Sequence, residues 1–266
     1  MQNILDKFKL NGKIALVTGS SSGIGFELAI AMGQAGAKIV INGTSEEKLT
    51  KAHAIFKEYG IECYRYAFDV NDENAVINAI KTIQQKVGDI DILVNNAGII
   101  KRAPMLEMNT KDFKEVIDIN LIAPLVVAKC VVPTMIKNGG GKIINICSLM
   151  SIYGRNSVSA YAASKGGLLM LTRNMCVEWG KHNIQVNGIG PGYIKTAKTT
   201  EFATEGHPFN KLIMMRTPAA RWGEVEDLCG AAILLASDAG NFINGQLLFV
   251  DGGITANFGY LEGENV

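Results

Sequence analysis

Thr18-Gly-Ser-Ser-Ser-Gly-Ile-Gly25 (TGSSSGIG) follows the apolar run Ile14–Val17 directly and leads into the helical pattern FELAIAMGQAG. Its reading decides the fold. Glycine lets a chain turn tightly and bring its backbone against a ligand, and the open N–H groups and dipole of a helix start favour an anion. Strand, glycine turn and helix in that order suit the pyrophosphate of a dinucleotide, with Gly19, Ser21, Ser22, Gly23, Ile24 and Gly25 as the contacting residues. Further apolar runs, Lys38–Ile41, Ile90–Val94, Lys142–Ile146 and Leu247–Val250, alternate with helical periods such as Glu46–Tyr59 and Ala75–Val87. Buried strands separated by helices predict an α/β protein with a doubly wound parallel sheet of Rossmann type.

The totals bound the partner. A chain of 266 residues fits one large domain, and no repeat or Pro/Ser-rich linker divides residues 1–266. Net charge is +1 with 19% charged residues, so no strong field draws the chain to nucleic acid or to an anionic membrane. The partner expected is a small molecule. Cys63, Cys130, Cys147, Cys176 and Cys229 are scattered, without a CxxC pair or a His at ligand spacing, which speaks against a zinc site or a disulfide framework. The start, MQNILDKFKLNGK, is too polar for a signal peptide, and the apolar run Leu121–Ile136 is broken by Lys129 and two prolines. These features predict a cytoplasmic protein. The least regular stretch, about 191–218, is expected to be a substrate lid loop, and the tail from Asn257 a surface or intersubunit arm.

Three more segments accompany the glycine turn: Asp69-Val70, NNAG at Asn95–Gly98, and YAASK at Tyr161–Lys165. In that order they resemble the short-chain dehydrogenase/reductase family over nearly the whole chain. The resemblance implies a single domain that binds NAD or NADP and moves a hydride to or from a carbonyl carbon. It places Asp69 and Val70 at the adenine, Asn96, Ala97 and Gly98 under the cofactor, and Pro191, Gly192, Ile194 and Thr196 beside the nicotinamide. It also supplies a catalytic tetrad of Asn120, Ser148, Tyr161 and Lys165, the last two touching the cofactor as well.

The residue types suit that chemistry. A secondary alcohol gives up hydride only as its hydroxyl proton is taken, so a base must stand beside the hydride acceptor. Residues four apart on a helix share a face, which directs Tyr161 and Lys165 into one space. A cation about 4 Å away at an effective dielectric of about 20 favours the phenolate by about 4 kcal/mol, roughly three pKa units, and desolvation opposes part of this.

The second apolar run ends in Asn42-Gly43-Thr44-Ser45, with no Asp to hold the ribose 2′-hydroxyl of NAD and repel a phosphate. Asn42 is expected to face the cofactor, Thr44 and Ser45 can bond a 2′-phosphate or cap the next helix, no Arg stands nearby, and Ser22 is not basic. The balance favours NADP over NAD.

For the substrate, NNAGIIKRAPMLEM, GKIINICSLMS, VNGIGPGYIKT and HPFNKLIMMRTPAARWG resemble the branch of the family that interconverts D-gluconate and 5-keto-D-gluconate. A sugar acid needs a cation for its carboxylate; Arg102, rather than Lys101, has the fork that fits. His207, Tyr193 and Met150 are further substrate candidates, beside Ser148 and Tyr161. Alternatives are a 2-deoxy-D-gluconate 3-dehydrogenase, a 3-oxoacyl carrier-protein reductase, and a silent dinucleotide-binding regulator. The family resemblance implies a homotetramer formed through helices beginning near Lys111 and Val158 and through the last strand.

Overall fold

Ile14-Ala15-Leu16-Val17 carries no polar side chain, and all four residues are buried, as a strand covered on both faces requires. This is β1, in the middle of the sheet of a computed structural model that describes residues 3–257. The other strands are β2 (Lys38–Gly43), β3 (Cys63–Ala67), β4 (Ile92–Asn95), β5 (Gly141–Ile146), β6 (Ile184–Pro191) and β7 (Leu247–Val250). The order is β3-β2-β1-β4-β5-β6-β7, every pair parallel. Val17 aligns with Ile41 and with Val94, so the carboxyl ends of β1, β2 and β4 lie within two residues of one another and their loops open on one edge. The strand order reverses between β1 and β4, and such a reversal leaves a crevice outside the carboxyl ends.

The helices are α1 (Gly23–Gln34), α2 (Glu46–Glu58), α3 (Glu73–Lys86), α4 (Thr110–Ile117), α5 (Ala123–Lys137), α6 (Ser159–Trp179), α7 (Pro208–Arg216) and α8 (Cys229–Ala236). Each of α2 and α3 buries one stripe, Leu49, Ala52 and Phe56 in the first and Val76, Ile80 and Ile83 in the second. One core joins α1, α2 and α8 to one face of the sheet; the other joins α3, α5 and α6 to the opposite face. The result is the doubly wound, Rossmann-like single domain expected.

Three departures from expectation have physical causes. β3 is an edge strand of alternating exposure, so it has no continuous apolar run to announce it. All eight residues of β6 are buried although Gln185, Asn187, Gly188 and Gly190 interrupt its apolar pattern. Those glycines serve close packing: a Cβ on Gly190 would stand 2.7 Å from the Phe249 ring. Finally, the stretch expected as a lid loop is not all loop, because it carries a 3-10 turn, Thr200–Ala203, and α7. His207 caps α7 and Pro208 occupies its first turn, a helix-start signal that the sequence did display. The tail beyond Asn257 lies outside the described residues.

The helical run from Thr110 to Lys137 is interrupted by a π turn, Asp118–Ile122, which carries the fully buried Asn120. Val127, Val131, Val132 and Met135 of α5 are buried in the second core.

Candidate active site

The glycine turn fits an anion. Gly19 and Gly23 have φ of +62° and +63°, in the left-handed region that glycine tolerates. A Cβ on Gly19 would lie 2.8 Å from Ala97 Cα and one on Gly25 2.2 Å from Asn96 Nδ2, whereas above Gly23 nothing lies within 4 Å. The turn is therefore packed tightly below and open above. Helices α2, α3 and α4 are capped by their own side chains: Ser45 accepts from Lys48 N at 3.3 Å, Asp72 from Ala75 N at 3.0 Å and Asn109 from Asp112 N at 2.8 Å. Ser22 makes no such bond, and the first turn of α1 has no acidic residue. Its free N–H groups and positive dipole end suit a pyrophosphate.

Several residues expected at the cofactor shape this turn. Asn42 is 1% exposed; its Oδ1 accepts from Gly19 N at 3.1 Å and its Nδ2 donates to Phe68 O at 3.0 Å. The side chain expected to face the cofactor is thus consumed in joining the glycine turn to the end of β3. Asn96 Nδ2 donates to Thr18 O at 2.9 Å and Gly19 O at 3.0 Å, while Thr18 Oγ1 accepts from Asn96 N and Ala97 N. Ile24 packs on the core, leaving its backbone toward the turn. Ser21 lies against Gly43, and Ser45 is the α2 cap, which leaves the exposed Thr44 as the open polar side chain at the end of β2. Across the crevice, Asp69 accepts from Asn71 N at 2.9 Å and Val70 is buried. At the end of β6, Gly192 N donates to Val250 O at 3.0 Å, Ile194 is buried, and Thr196 bonds the hydroxyl of Thr199 at 3.1 Å. The structure brings all these segments to the same edge of the sheet.

The expected tetrad also converges there. Ser148 follows β5 and begins a 3-10 turn, Leu149–Ser151, its Oγ accepting from Met150 N at 3.1 Å. Tyr161 and Lys165 lie on α6, with Lys165 Nζ 5.7 Å from the centroid of the phenol ring. Lys165 is 5% exposed and donates to Ile146 O at 2.6 Å. Asn120 is spent in full: Oδ1 accepts from Ile99 N at 2.8 Å, and Nδ2 donates to Ile99 O at 2.9 Å and to Ser164 Oγ at 3.1 Å. Ser164 in turn donates to Tyr161 O at 2.7 Å, so the π turn braces both the loop after β4 and the first turns of α6.

Desolvation, expected to oppose the phenolate, is large at both groups. Burial pushes the Tyr161 phenol up, opposed by the neighbouring Ser148 hydroxyl and the charge of Arg102. Burial likewise pulls Lys165 down to about 8. Burial thus opposes the charged form of both groups, against the pull that the Lys165 cation exerts toward the phenolate.

At the mouth, Lys101 is neutralised by Asp112 and Glu115, each at 2.5 Å. Arg102 is exposed and has no acidic partner among the described residues; partial desolvation and the charge of Arg155 lower its pKa. Tyr193 stands in an aromatic cluster, 5.3 Å from Phe209 and 5.7 Å from Trp222 between ring centroids. His207 Nδ1 accepts from Phe209 N at 3.1 Å and its ring meets Phe202, which makes capping its visible work. Met150 is half-buried in the turn after Ser148. Arg155 was not anticipated, and Phe209 and Trp222 were noted only within the segment HPFNKLIMMRTPAARWG, without a role of their own.

The fold and this convergence are those of a nicotinamide-dependent oxidoreductase. The family described as Enoyl-(Acyl carrier protein) reductase matches residues 19–255, and the chain belongs to the short-chain dehydrogenase/reductases, which use NAD(P). The chain is 56% identical over 96% of its length to the 2-dehydro-3-deoxy-D-gluconate 5-dehydrogenase of Formosa agariphila, covering 97% of that protein. It is 44% identical over 95% of its length to the gluconate 5-dehydrogenase of Gluconobacter oxydans, covering 98% of it. Among solved structures, a gluconate 5-dehydrogenase from Burkholderia cenocepacia in complex with NADP and tartrate superposes with a TM-score of 0.92 at 46% identity, over 96% of this chain and 99% of that one.

Proposed function

We propose that the protein interconverts D-gluconate and 5-keto-D-gluconate with NADP as its preferred cofactor. The observation that carries this reading is the half-buried Tyr161, its phenol within reach of Ser148 and of the charge of Arg102, an arginine that no acid neutralises among the described residues. A base for a hydroxyl and a free cation for a carboxylate are what oxidation of a hydroxy acid requires. Relatives named gluconate 5-dehydrogenase and the NADP and tartrate bound by the Burkholderia protein support it.

When bound, NADP supplies the hydride acceptor or donor. The Gly19–Gly25 turn, Asp69-Val70, Asn96–Gly98 and Pro191–Thr196 would hold it, with Thr44 at the 2′-phosphate. Ser148 orients the reacting oxygen. Tyr161 takes the hydroxyl proton in oxidation and returns it in reduction. Lys165, held by Ile146 O, keeps its position under the phenol ring, and Asn120 keeps α6 in place through Ser164. Arg102 binds the carboxylate, while Tyr193 and Met150 wall the pocket.

A second reading, oxidation of 2-dehydro-3-deoxy-D-gluconate at the same carbon, is favoured by the 56% identity to the Formosa protein. It uses the same groups. The expected location is the cytoplasm, in keeping with five free thiols among the described residues. The expected assembly is a homotetramer, in keeping with Met170 and Val177 exposed on α6 and Ile136 on α5.

The test is the absorbance of reduced nicotinamide with 5-keto-D-gluconate, using NADPH and NADH in parallel, and of NADP reduction with 2-dehydro-3-deoxy-D-gluconate. Fast NADPH oxidation by the keto acid is the expected result. Turnover of the deoxy acid alone selects the second reading; no turnover of either removes both.

A further inference from the structure

Arg155 lies in the loop between the Leu149–Ser151 turn and α6, and its guanidinium carbon sits 4.4 Å from the centroid of Phe209 in α7. That is cation–π distance. Phe209 is itself fixed edge-on by Tyr193 and, at 6.1 Å, by Trp222. The Arg155 loop is also tied to the Arg102 loop, since Ala103 N donates to Ser157 O at 3.2 Å. Two arginines therefore converge from the β4–α4 and β5–α6 loops at the mouth of the pocket that holds Tyr161. Neither takes part in any ion pair among the described residues, although Lys101, next in sequence to Arg102, has two acids. Partial desolvation lowers the pKa of Arg102, and repulsion by the Arg155 charge adds to it. Two neighbouring guanidinium groups without an acid among the described residues make a site for an anion that fits planar forks.

We propose that Arg155 is the second arm of a carboxylate clamp: with Arg102 it grips the carboxylate of the sugar acid, and Phe209 holds it in place so that α7 completes the clamp. This rests on the sugar-acid reading above. It adds a reason for reaction at carbon 5. A carboxylate fixed at the mouth sets how far along the open chain the substrate reaches, and the hydroxyl presented to Tyr161 is the one at that span.

The experiment compares Arg155→Met, Arg155→Lys and wild type on D-gluconate and on D-gluconamide, which has the same hydroxyls and no charge. In Arg155→Met, kcat/KM for gluconate should fall about 30-fold, mostly through KM, as expected for loss of a charge-assisted contact. The preference for gluconate over gluconamide should shrink at least tenfold, and Arg155→Lys should recover part of it. A second readout is calorimetric titration of the NADPH-saturated protein with tartrate, a small hydroxylated dicarboxylate, whose affinity should weaken about tenfold in Arg155→Met. Equal losses on both substrates would show that Arg155 only supports the packing of α7 and would overturn the clamp, as would no loss on either. Should wild type oxidise neither compound, the sugar-acid reading falls separately, and tartrate affinity that is absent or equal in wild type and Arg155→Met overturns the clamp.

Discussion

Gly23→Ala separates the two reasons a glycine can be needed in the turn before α1. Gly23 has φ +63° and Gly60, at the end of α2, has φ +68°; a Cβ on either would meet nothing within 4 Å. The two alanines therefore carry the same intrinsic strain, about 1 kcal/mol for a left-handed residue. Part of this is offset by the lower entropy of an unfolded alanine. Each variant should lose no more than about 1 kcal/mol, or about 2–4 °C in Tm for a chain of this size. Only Gly23 lies at the uncapped helix start proposed for the pyrophosphate. A methyl group forced between backbone and ligand costs about 1–3 kcal/mol, so NADPH affinity should fall about 10- to 100-fold in Gly23→Ala and stay unchanged in Gly60→Ala. Thermal unfolding and fluorescence titration with NADPH on the three proteins make the comparison. Equal NADPH affinity in both variants would refute the placement of the pyrophosphate.

Tyr161→Phe should keep NADPH affinity within about twofold and lose about 10²–10⁴ in turnover, measured by single-turnover kinetics; near-normal turnover sinks the acid–base role. Because burial pushes Tyr161 up, sugar-acid oxidation should climb with pH through the neutral range, while reduction, which uses the protonated phenol, should show no such rise; identical profiles would contradict it. Lys142, bonded to Asn241 at 2.6 Å and pulled by burial from 10.5 to about 8, makes the folded state bind fewer protons than the unfolded one between those values. Holding its charge at pH 7 therefore costs stability, and Lys142→Met, though it loses a hydrogen bond worth about 1 kcal/mol, should be the more stable protein at pH 7. That advantage should shrink in urea unfolding as pH rises from about 8 toward 10.5, and a pH-independent gap would count against the buried charge. Asn42→Asp should destabilise the fold by about 1–3 kcal/mol by removing the donor to Phe68 O rather than convert the enzyme to NAD. Thr44→Asp, at an exposed position, should weaken NADPH at least tenfold (about 1.4 kcal/mol) relative to NADH in the same titration; no change would move the 2′-phosphate site elsewhere.

Local order alone made much of this protein legible. A glycine turn between an apolar strand and a helix, and a tyrosine and lysine one helical turn apart, are short-range patterns whose meaning does not depend on distant packing. The same holds for the apolar runs of β1, β2, β5 and β7. Where burial comes from the neighbours, the chain was silent: β6 is a strand because β5 and β7 flank it, despite its glycines and amides.

The chemistry of the site divides in the same way. Which side chains stand near the reacting carbon could be read from motifs, but their charge states could not, because desolvation is a property of everything packed around a group. Sequence suggested that Lys165 would draw Tyr161 toward phenolate; burial of both puts Lys165 at about 8 and Tyr161 above its ordinary value. Asn42 looked free to meet a ribose, and tertiary contacts with Gly19 and Phe68 claimed it. Sequence preferred Arg102 to Lys101 only for its fork, whereas α4 neutralises Lys101 outright with Asp112 and Glu115. Arg155 belongs to no motif; only the folding of three loops and α7 onto one mouth sets it beside Arg102 and over Phe209. Sequence by itself determined the sheet's plan and the identity of the proton-handling residues, since those follow from local pattern. Tertiary structure decided which of them carry charge and which are left unpaired for a ligand, since that depends on groups far apart in the chain.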